Sequence, residues 1–256
     1  MCGRFTVTSV DAIAAELSLA VPVGALPVAP PGSPEAESIA RSPLAEDPSL
    51  AELLRTPRYN VAPTQYAPVV RNRPRPWRFV EPLRWGLVPF WARDLAIGNT
   101  LINARAETVA AKPAFRDALH KRRCLVLADG FYEWRRDGKR RRPYYIRRPS
   151  HRLMAFAGLW ERWRAPDGRW LRSFTIITTT ASARIAPLHD RMPVVLERAD
   201  WEAWLEPAPS PVPVEALLGL LAPLPDDALE AFEVSSLVSS PANEGAACIA
   251  PIPHDD

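Results

Sequence analysis

The sequence predicts an α+β protein dominated by β-strands, and three observations support that class. Short apolar runs rich in β-branched and aromatic residues recur between turn signals, most clearly at 174–180. Asp137-Gly138 and Asp167-Gly168 separate pairs of such runs in the manner of hairpin turns. Helical periodicity is confined to short stretches, without long βαβ alternation or internal repeats. We therefore read residues 1–256 as one domain built mainly from strands.

The first third of the chain contains one weakly structured segment. Residues 5–19 are typical of a strand followed by a short amphipathic helix, with Ile13 and Leu17 on its apolar face. Residues 21–48 are rich in Pro, Ala, Ser and Glu and have too little apolar periodicity to pack. We expect them to form a flexible insertion, followed by one helical turn at 49–55.

The remaining elements follow from alternation and turn chemistry. Alternating or continuous apolar runs bounded by Gly, Pro, Asp or Arg predict strands at 67–71, 83–88, 123–127 and 130–136. The two Asp-Gly turns pair 131–136 with 143–148, and 155–164 with 169–179. Helical spacing predicts helices at 113–120, 199–205 and 213–221, the second capped by Asp200 or begun just before it.

Charge is distributed unevenly along the chain. All 32 Lys and Arg residues lie before residue 199, together with only 18 of the 29 acidic residues, so residues 1–198 carry a net charge of +14. The other 11 acidic residues lie in the last 58 positions. Such a split indicates a polyanion-binding body with an acidic C-terminal part. The excess of 29 Arg over 3 Lys fits phosphate contacts, although a GC-rich coding bias explains it equally well.

Cysteine content and hydropathy favour a cytosolic protein without a metal or cofactor. Three widely spaced cysteines, Cys2, Cys124 and Cys248, form no CxxC pair and suggest no disulfide framework. No N-terminal signal sequence and no run of about 18 apolar residues occurs, so we expect no membrane contact. No set of His and Cys residues completes a four-ligand metal site.

Cys2 becomes the N-terminal residue if Met1 is removed, and it then carries both an α-amine and a thiol. The ordinary pKa values of these groups are about 7.7–8.0 and about 8.5, so both are partly nucleophilic near neutral pH. A 1,2-aminothiol attacks an aldehyde twice, first forming a Schiff base and then closing it into a thiazolidine. Alternatively, Cys2 is a small buried residue that begins a strand.

Polar and aromatic residues cluster in several short segments. Asn103, Arg105 and Glu107 alternate with Ala, which places them on one face of an extended segment, suited to phosphate or to an internal Arg105–Glu107 salt bridge. Glu133 lies between two large aromatic residues, where desolvation would raise its pKa and suit it to acid–base work. His189, next to Asp190 in a loop bounded by prolines, is a candidate proton shuttle.

Seven segments occur in one order that resembles the SRAP family, the SOS-response-associated peptidases or abasic-site processing proteins. They are MCGRF, YNVAPTQ, RWGLVPFWA, NARAETV, RRCLVLADGFYEW, FTIITTTA and HDRMPVVL, and they span residues 1–8 and 59–196. Residues 21–48 look like an enlargement relative to the family, and 234–251 matches its closing stretch poorly. The resemblance implies a strand-dominated SRAP-like domain with a mixed, barrel-like antiparallel sheet and flanking short helices.

The resemblance also implies a function and a set of site residues. The family crosslinks to abasic sites in single-stranded DNA through its N-terminal cysteine. Cys2 would then be the nucleophile, Asn103 a hydrogen-bonding positioner, Glu133 the acid–base and His189 a proton donor. Arg4 and Arg105 would bind phosphate, whereas Asn60, Pro63, Trp85 and Trp134 would form parts of the DNA channel or of the wedge that splays the strand. A monomer acting in the DNA damage (SOS) response and associated with the nucleoid is expected. A methionine aminopeptidase is expected to remove Met1, and the resemblance also allows autocatalytic removal of Met1 and a lyase side activity.

Two other function classes remain open from the residues alone. In the first, the Cys2 amine serves as the base for its own thiol, in a cysteine hydrolase that acts on small amides. In the second, Cys2 is inert and the chain is a non-covalent single-stranded DNA binder with strongly salt-dependent affinity. Replacing Cys2 separates these classes from covalent capture.

Overall fold

A computed structural model describes residues 2–8, 50–71 and 79–253. Across these ranges the chain forms thirteen strands, four short α-helices and several single turns of 3₁₀-helix. The strands are β1 (Phe5–Val7), β2 (Arg58–Val61), β3 (Tyr66–Arg71), β4 (Phe79–Trp85), β5 (Asn103–Arg105), β6 (Arg123–Ala128), β7 (Gly130–Asp137), β8 (Arg140–Arg147), β9 (Met154–Arg164), β10 (Trp170–Thr180), β11 (Arg191–Pro193), β12 (Val195–Leu196) and β13 (Glu230–Glu233). The helices are α1 (Leu50–Arg55), α2 (Pro113–Lys121), α3 (Trp201–Leu205) and α4 (Val214–Gly219).

The larger sheet closes into a barrel. Its strand order is β11-β10-β4-β3-β6-β9-β12, and β10 also pairs with β9, so five strands (β10, β4, β3, β6 and β9) form a ring. Within that ring β4 runs parallel to β10, whereas the other neighbours are antiparallel. The short strand β5 lies parallel to β10 beyond the end of β4. The α+β class and the mixed, barrel-like sheet are therefore confirmed.

The smaller sheet has five strands in the order β13-β8-β7-β1-β2 and places the N-terminal strand inside. Phe5 of β1 pairs with Phe131 on one side and Val61 on the other. Its ring packs against the barrel, with centroids 5.0 Å from Trp85 and 6.1 Å from Phe156. A buried aromatic side chain of this kind contributes about 3–5 kcal/mol to stability, so residues 2–4 are fixed by the core that follows them.

Polar groups hold the other end of β1. The buried Asp129 carboxylate accepts hydrogen bonds from the Thr8 backbone N–H at 2.5 Å, from the Thr8 hydroxyl at 2.6 Å and from the Thr6 hydroxyl. The next residue must be glycine, since a Cβ on Gly130 would lie 2.1 Å from the Tyr145 hydroxyl oxygen. This network and the Phe5 contact fix β1 at both ends.

Two helix C-termini meet on a single buried cation. Arg123, at the start of β6, has no exposed surface and donates from Nε to the carbonyl of Trp204 at 2.7 Å. Its NH1 donates to the carbonyls of Leu119 and His120 at 2.7 and 2.9 Å, and its NH2 donates to that of Glu206. The negative ends of α2 and α3 thus solvate the guanidinium without a carboxylate contact among the described residues.

Most predicted elements agree with the structure, and the differences have local causes. The hairpins around Gly138 and Gly168 form, both glycines having positive φ, but 131–136 pairs with 141–146 rather than 143–148. The strand predicted at 83–88 ends at Trp85, because Gly86 at φ 114° turns the chain toward Gly98. Asp200 does not cap α3 through its side chain. The helix expected within 5–19 and the insertion at 21–48 lie outside the described residues.

The acidic C-terminal part covers part of the basic region. Strand β13, which the sequence did not reveal, pairs with β8. Strands β7 and β8 form the cationic hairpin, which carries Arg135, Arg136, Lys139, Arg140, Arg141 and Arg142. Arg142 Nε donates to Glu233 at 2.6 Å, and Arg147 Nε donates to Glu230 at 2.7 Å. Part of the predicted polyanion-binding charge is therefore neutralised within the protein. None of the helices in the described ranges has both the length and the apolar character needed to cross a membrane.

Candidate active site

Cys2 lies where the two sheets meet. Its side chain is fully buried, with Sγ 3.9 Å from the Arg4 carbonyl oxygen. Its own carbonyl accepts a hydrogen bond of 2.8 Å from Asn103 Nδ2, on β5 beside the barrel. The smaller sheet therefore delivers Cys2, and the barrel strand fixes its backbone.

Asn103 has capacity for a further partner. Its Oδ1 is buried, and within the described part of the chain it accepts no hydrogen bond. A buried acceptor left unpaired costs about 1–3 kcal/mol, so this oxygen is suited to receive a donor from a bound group. The predicted alternation also holds, since Ala104 is buried whereas Arg105 is exposed.

Glu133 faces Cys2 from β7. The Tyr132 N–H donates to the Arg4 carbonyl at 3.0 Å, which brings the next residue of β7 alongside the N-terminus. The side chain is 2% exposed, and burial raises its pKa to about 7. The positive N-terminus opposes that shift, and Asp190 adds to it. A carboxyl group with a pKa near 7 exchanges protons in both directions at neutral pH.

Replacing Glu133 with Gln should stabilise the fold in a pH-dependent way. The unfolded carboxyl ionises near its ordinary pKa of 4.5 and the folded one near 7. Below the first value both states are neutral, and above the second the folded state carries the full cost of a buried charge. That cost reaches about 3 kcal/mol. We expect urea unfolding to show the Glu133→Gln protein more stable at about pH 8, with most of the difference lost by about pH 5.

A matched control shows whether the effect depends on burial. Glu215 is exposed on α4, so Glu215→Gln should change stability by less than about 0.5 kcal/mol at either pH. If the Glu133→Gln gain were the same at both pH values, the pKa assigned to this carboxyl would be wrong.

His189 is held in a loop between β10 and β11. Its Nδ1 lies 3.0 Å from the Arg191 backbone N–H, which donates to it, and 2.8 Å from Asp190 Oδ1. Nδ1 cannot accept the first bond and donate the second at once, so the two contacts belong to different protonation states. Partial burial, the N-terminal charge and Arg136 lower the His189 pKa, against Asp190. Together these influences favour the neutral form of the ring.

Arg105 and Glu107 do not form the salt bridge considered from the sequence. Glu107 is instead held by Arg191, whose NH1 and NH2 lie 2.6 and 2.9 Å from the two carboxylate oxygens. Arg191 also donates to the Thr178 carbonyl at 2.6 Å. Exposed Arg105 has no hydrogen-bond or ion-pair partner among the residues that the structure describes, so it remains available to an anion.

Arg4 and Asn60 lie under the C-terminal segment. Arg4 NH1 donates to Asn60 Oδ1 at 3.0 Å and to the Val238 carbonyl at 2.8 Å. Asn60 Nδ2 donates to the carbonyls of Ser240 and Asn243, both at 2.8 Å. Asn60 is fully buried, so in this conformation its amide joins Arg4 to the C-terminal segment, and its place in the DNA channel or wedge stays a prediction. Half-buried Arg4 thus contacts Cys2 through its backbone carbonyl, whereas its guanidinium is held by Asn60 and Val238.

Trp85 packs in the core beside the barrel strands. It is fully buried, its Nε1 donates to the Ile102 carbonyl at 2.9 Å, and its ring stacks on Phe174. Its ring offers no exposed face in this conformation, and its place in the DNA channel or wedge stays a prediction. The exposed aromatics of the same motif are Phe90 and Trp91, at 60% and 49%. Trp85 is the last residue of β4, whereas Phe90 and Trp91 follow in a loop. Strand alternation could therefore have distinguished the buried Trp85 from the exposed Phe90 and Trp91.

Pro63 and Trp134, the other two residues predicted for the DNA channel, are both half-buried. Pro63 precedes Thr64, whose φ of 75° is unusual for a β-branched residue and marks a constrained turn. Trp134 donates from Nε1 to Ser239 Oγ at 3.2 Å and packs beside Tyr132. Within the described ranges no group of three or more His, Cys, Asp or Glu residues is placed to hold a metal ion.

Comparisons with known proteins show which family this chain resembles in sequence. The family model described as SOS response associated peptidase (SRAP) matches residues 1–241. The chain is 46% identical over 188 residues to the abasic site processing protein YoqW of Bacillus subtilis, covering 73% of this chain and 83% of that one. It is 32% identical over 235 residues to the abasic site processing protein HMCES of Mus musculus, covering 76% and 65%.

Similarity in structure supports the same assignment. A protein from Bacteroides thetaiotaomicron solved by X-ray crystallography superposes with a TM-score of 0.66 at 28% identity, covering 74% of this chain and 82% of that one. The family resemblance inferred from seven sequence segments is thus confirmed. The chain belongs to the SOS response associated peptidase (SRAP) family.

Proposed function

We propose that this protein captures abasic sites in single-stranded DNA and forms a covalent thiazolidine crosslink through Cys2 after Met1 is removed. The observation that carries the proposal is the meeting of Cys2, Asn103 and a Glu133 carboxyl with a pKa of about 7 between the two sheets. Several relatives are named abasic site processing proteins, which supports the same substrate. An amine and a thiol on Cys2, beside an amide and a carboxyl group, fit the capture of an aldehyde better than they fit non-covalent DNA binding.

The first chemical step is attack by the amine. The opened abasic sugar presents an aldehyde at C1′, and the Cys2 amine adds to it to form a carbinolamine. Glu133 in its acid form gives a proton to the leaving hydroxyl, so water departs and an iminium forms. The Asn103 Oδ1 is suited to accept a hydrogen bond from the nitrogen, and His189 is suited to assist ring opening by donating a hydrogen bond to the sugar oxygen.

The second step closes the ring. Burial and the nearby Glu133 raise the pKa of the Cys2 thiol above its ordinary value, so the thiol is not the partly ionised group expected from free cysteine. It must lose its proton as the C–S bond forms, and the Glu133 carboxylate left by the first step is the adjacent base. The sulfur adds to the iminium carbon while its proton passes to Glu133, the C=N electron pair moves onto the nitrogen, and a thiazolidine with a neutral secondary amine results.

The strand is held by contacts that carry no sequence information. Exposed Arg105 and half-buried Arg4 are suited to phosphates on either side of the lesion, and Phe90 and Trp91 offer faces for neighbouring bases. An abasic nucleotide has no base to unstack, which lowers the cost of placing its sugar at Cys2.

The wider role follows from the same chemistry. A stable crosslink gives slow or no turnover and shields the lesion, which suits a monomeric protein of the DNA damage response that acts at the nucleoid. A Schiff base that opens before ring closure would permit β-elimination, a lyase side activity. Removal of Met1 by the same site would account for the peptidase in the family's description.

Denaturing gel electrophoresis tests the proposal most directly. Mature protein, with Cys2 verified as the N-terminus, is incubated with single-stranded oligonucleotide carrying one abasic site, and with the undamaged oligonucleotide as the control. We expect a shifted band that survives heat and detergent only with the abasic oligonucleotide. Glu133→Gln should form that band more slowly while binding the oligonucleotide normally. Absence of the band with both oligonucleotides would leave small-amide hydrolysis or non-covalent binding as the function.

A further inference from the structure

The far end of the β9–β10 hairpin carries two arginines on one tryptophan. The guanidinium carbons of Arg162 and Arg164 lie 4.4 and 5.8 Å from the centroid of the Trp170 ring. Both arginines are exposed, and within the described ranges neither has a carboxylate partner. Two like charges therefore converge without a counter-ion, an arrangement that an anion would stabilise.

The neighbouring arginines are different, because each is paired with an acid. Arg169 contacts Asp167 at 2.6 Å, Arg172 contacts Glu81 at 3.1 Å, and Arg122 contacts Glu161 at 2.9 Å. Glu161 also lies beside Arg162, but its carboxylate is buried and pairs with Arg122, so the guanidinium groups of Arg162 and Arg164 have no ion pair within the described ranges. These two positions, together with Trp170, form what we call the hairpin clamp.

A depression of about 470 Å³ opens beside the hairpin clamp. Phe90 and Trp160 contribute to its lining, and Arg71 stacks on the Trp160 ring at 4.3 Å. Phe90 is one of the most exposed aromatic side chains among the described residues. The surface therefore combines unpaired guanidinium groups with the exposed ring of Phe90. These features together favour a strand of nucleic acid, whose phosphates suit the arginine fork and whose bases stack on rings.

The hairpin clamp lies along β10 from the candidate active site. Ile176 and Thr178 of β10 pair with β5, which carries Asn103 and Arg105. Trp170 precedes Ile176 by six residues on the same strand, a distance of about 20 Å.

The loop that presents Phe90 lies between these two points. Gly86 donates to the Phe174 carbonyl at 2.8 Å, and Val88 donates to Ser173 Oγ at 2.8 Å. The loop is therefore fixed to the middle of β10, with the active site beyond one end of that stretch and the hairpin clamp beyond the other.

We propose that the hairpin clamp is a second binding site for single-stranded nucleic acid, which holds the reacting strand several nucleotides away from the lesion. The proposal rests on the proposed function, since it extends the same strand from Cys2 across Phe90 to Arg162 and Arg164. Binding there adds affinity for long strands without touching the chemistry at Cys2.

The test compares strand lengths and salt dependence. The double variant Arg162→Gln/Arg164→Gln is measured against undamaged oligonucleotides of about 4 and about 16 nucleotides, the range of sites used by single-strand binders. A double variant of two other exposed arginines, Arg116→Gln/Arg198→Gln, matches the change in charge. Arg198 is also stacked on a tryptophan, at 4.5 Å from the Trp201 centroid.

Only the hairpin clamp variant should lose affinity for the long strand, by about tenfold or more. Its slope of log affinity against log salt should fall by about 1.4, because each phosphate contact to a single strand contributes about 0.7. Binding of the short strand, and crosslinking of a short abasic strand, should remain unchanged. Equal affinity and slope for the clamp and control variants on the long strand would overturn the proposal.

Two further outcomes separate this proposal from other readings. If the unaltered protein formed no crosslink with abasic strands, the proposed function would fail, whereas the comparison on undamaged strands would still decide the clamp. An acidic peptide that bound the clamp as tightly as the long strand would overturn the assignment to nucleic acid.

Discussion

Replacing Cys2 with alanine will abolish the heat-stable adduct with abasic DNA while leaving non-covalent binding nearly unchanged. Alanine keeps the α-amine and removes the sulfur, so the iminium forms and hydrolyses again without ring closure. The loss should be complete on a denaturing gel, because Cys124 and Cys248 are buried and neither carries an α-amine. Borohydride reduction should restore a band by trapping the iminium.

A cysteine elsewhere in the chain, Cys248, supplies the control for the Cys2→Ala variant. Cys248→Ala removes a thiol from the C-terminal segment and should leave the adduct yield unchanged. Cys2→Ser tests sulfur itself, since it keeps the size and polarity of the side chain but offers a far weaker nucleophile. A heat-stable band from Cys2→Ala at the yield of the unaltered protein would show that the thiazolidine is not the product.

Replacing Arg123 with methionine will produce the largest loss of stability that we predict. Methionine fills a similar volume but leaves the carbonyls of Leu119, His120, Trp204 and Glu206 without their donor. Removing one side of a buried charged network costs about 3–5 kcal/mol. In a chain of this size that loss lowers the melting temperature by about 10 °C or more, measured by calorimetry.

Two other variants bracket the Arg123 effect. Arg123→Lys keeps the charge, but one ammonium cannot reach carbonyls on both helices, so an intermediate loss of about 1–3 kcal/mol is expected. Arg116 is exposed on α2, and Arg116→Met should change stability by less than about 0.5 kcal/mol. Equal losses from Arg116→Met and Arg123→Met would mean that the buried carbonyl contacts contribute nothing.

The sequence was most informative where one local rule decides the outcome. Alternation placed Ala104 inward and Arg105 outward, and aromatic neighbours correctly predicted the burial and raised pKa of Glu133. The two Asp-Gly turns located both long hairpins. These features depend on residues within a few positions of one another, so tertiary structure had little opportunity to change them.

Inference from sequence failed where distant segments meet. Asn60 looked available, but carbonyls 180 and 183 residues later occupy its amide group. The basic hairpin of β7 and β8 is partly neutralised by Glu230 and Glu233 of β13, and nothing along the chain shows that this strand lies beside it. The hairpin clamp was missed because neither the convergence on Trp170 nor the absence of acids nearby can be seen along the chain.

The inner position of β1 in the smaller sheet couples Cys2 to the fold. Phe5 packs within the core only three residues after Cys2, between strands β2 and β7. We expect a chain trimmed from its N-terminus past Phe5 to lose an inner strand together with Cys2 and to be unstable. A chain that lacks only Cys2 keeps Phe5 and should stay folded, so the proposed chemistry can be removed without removing the fold.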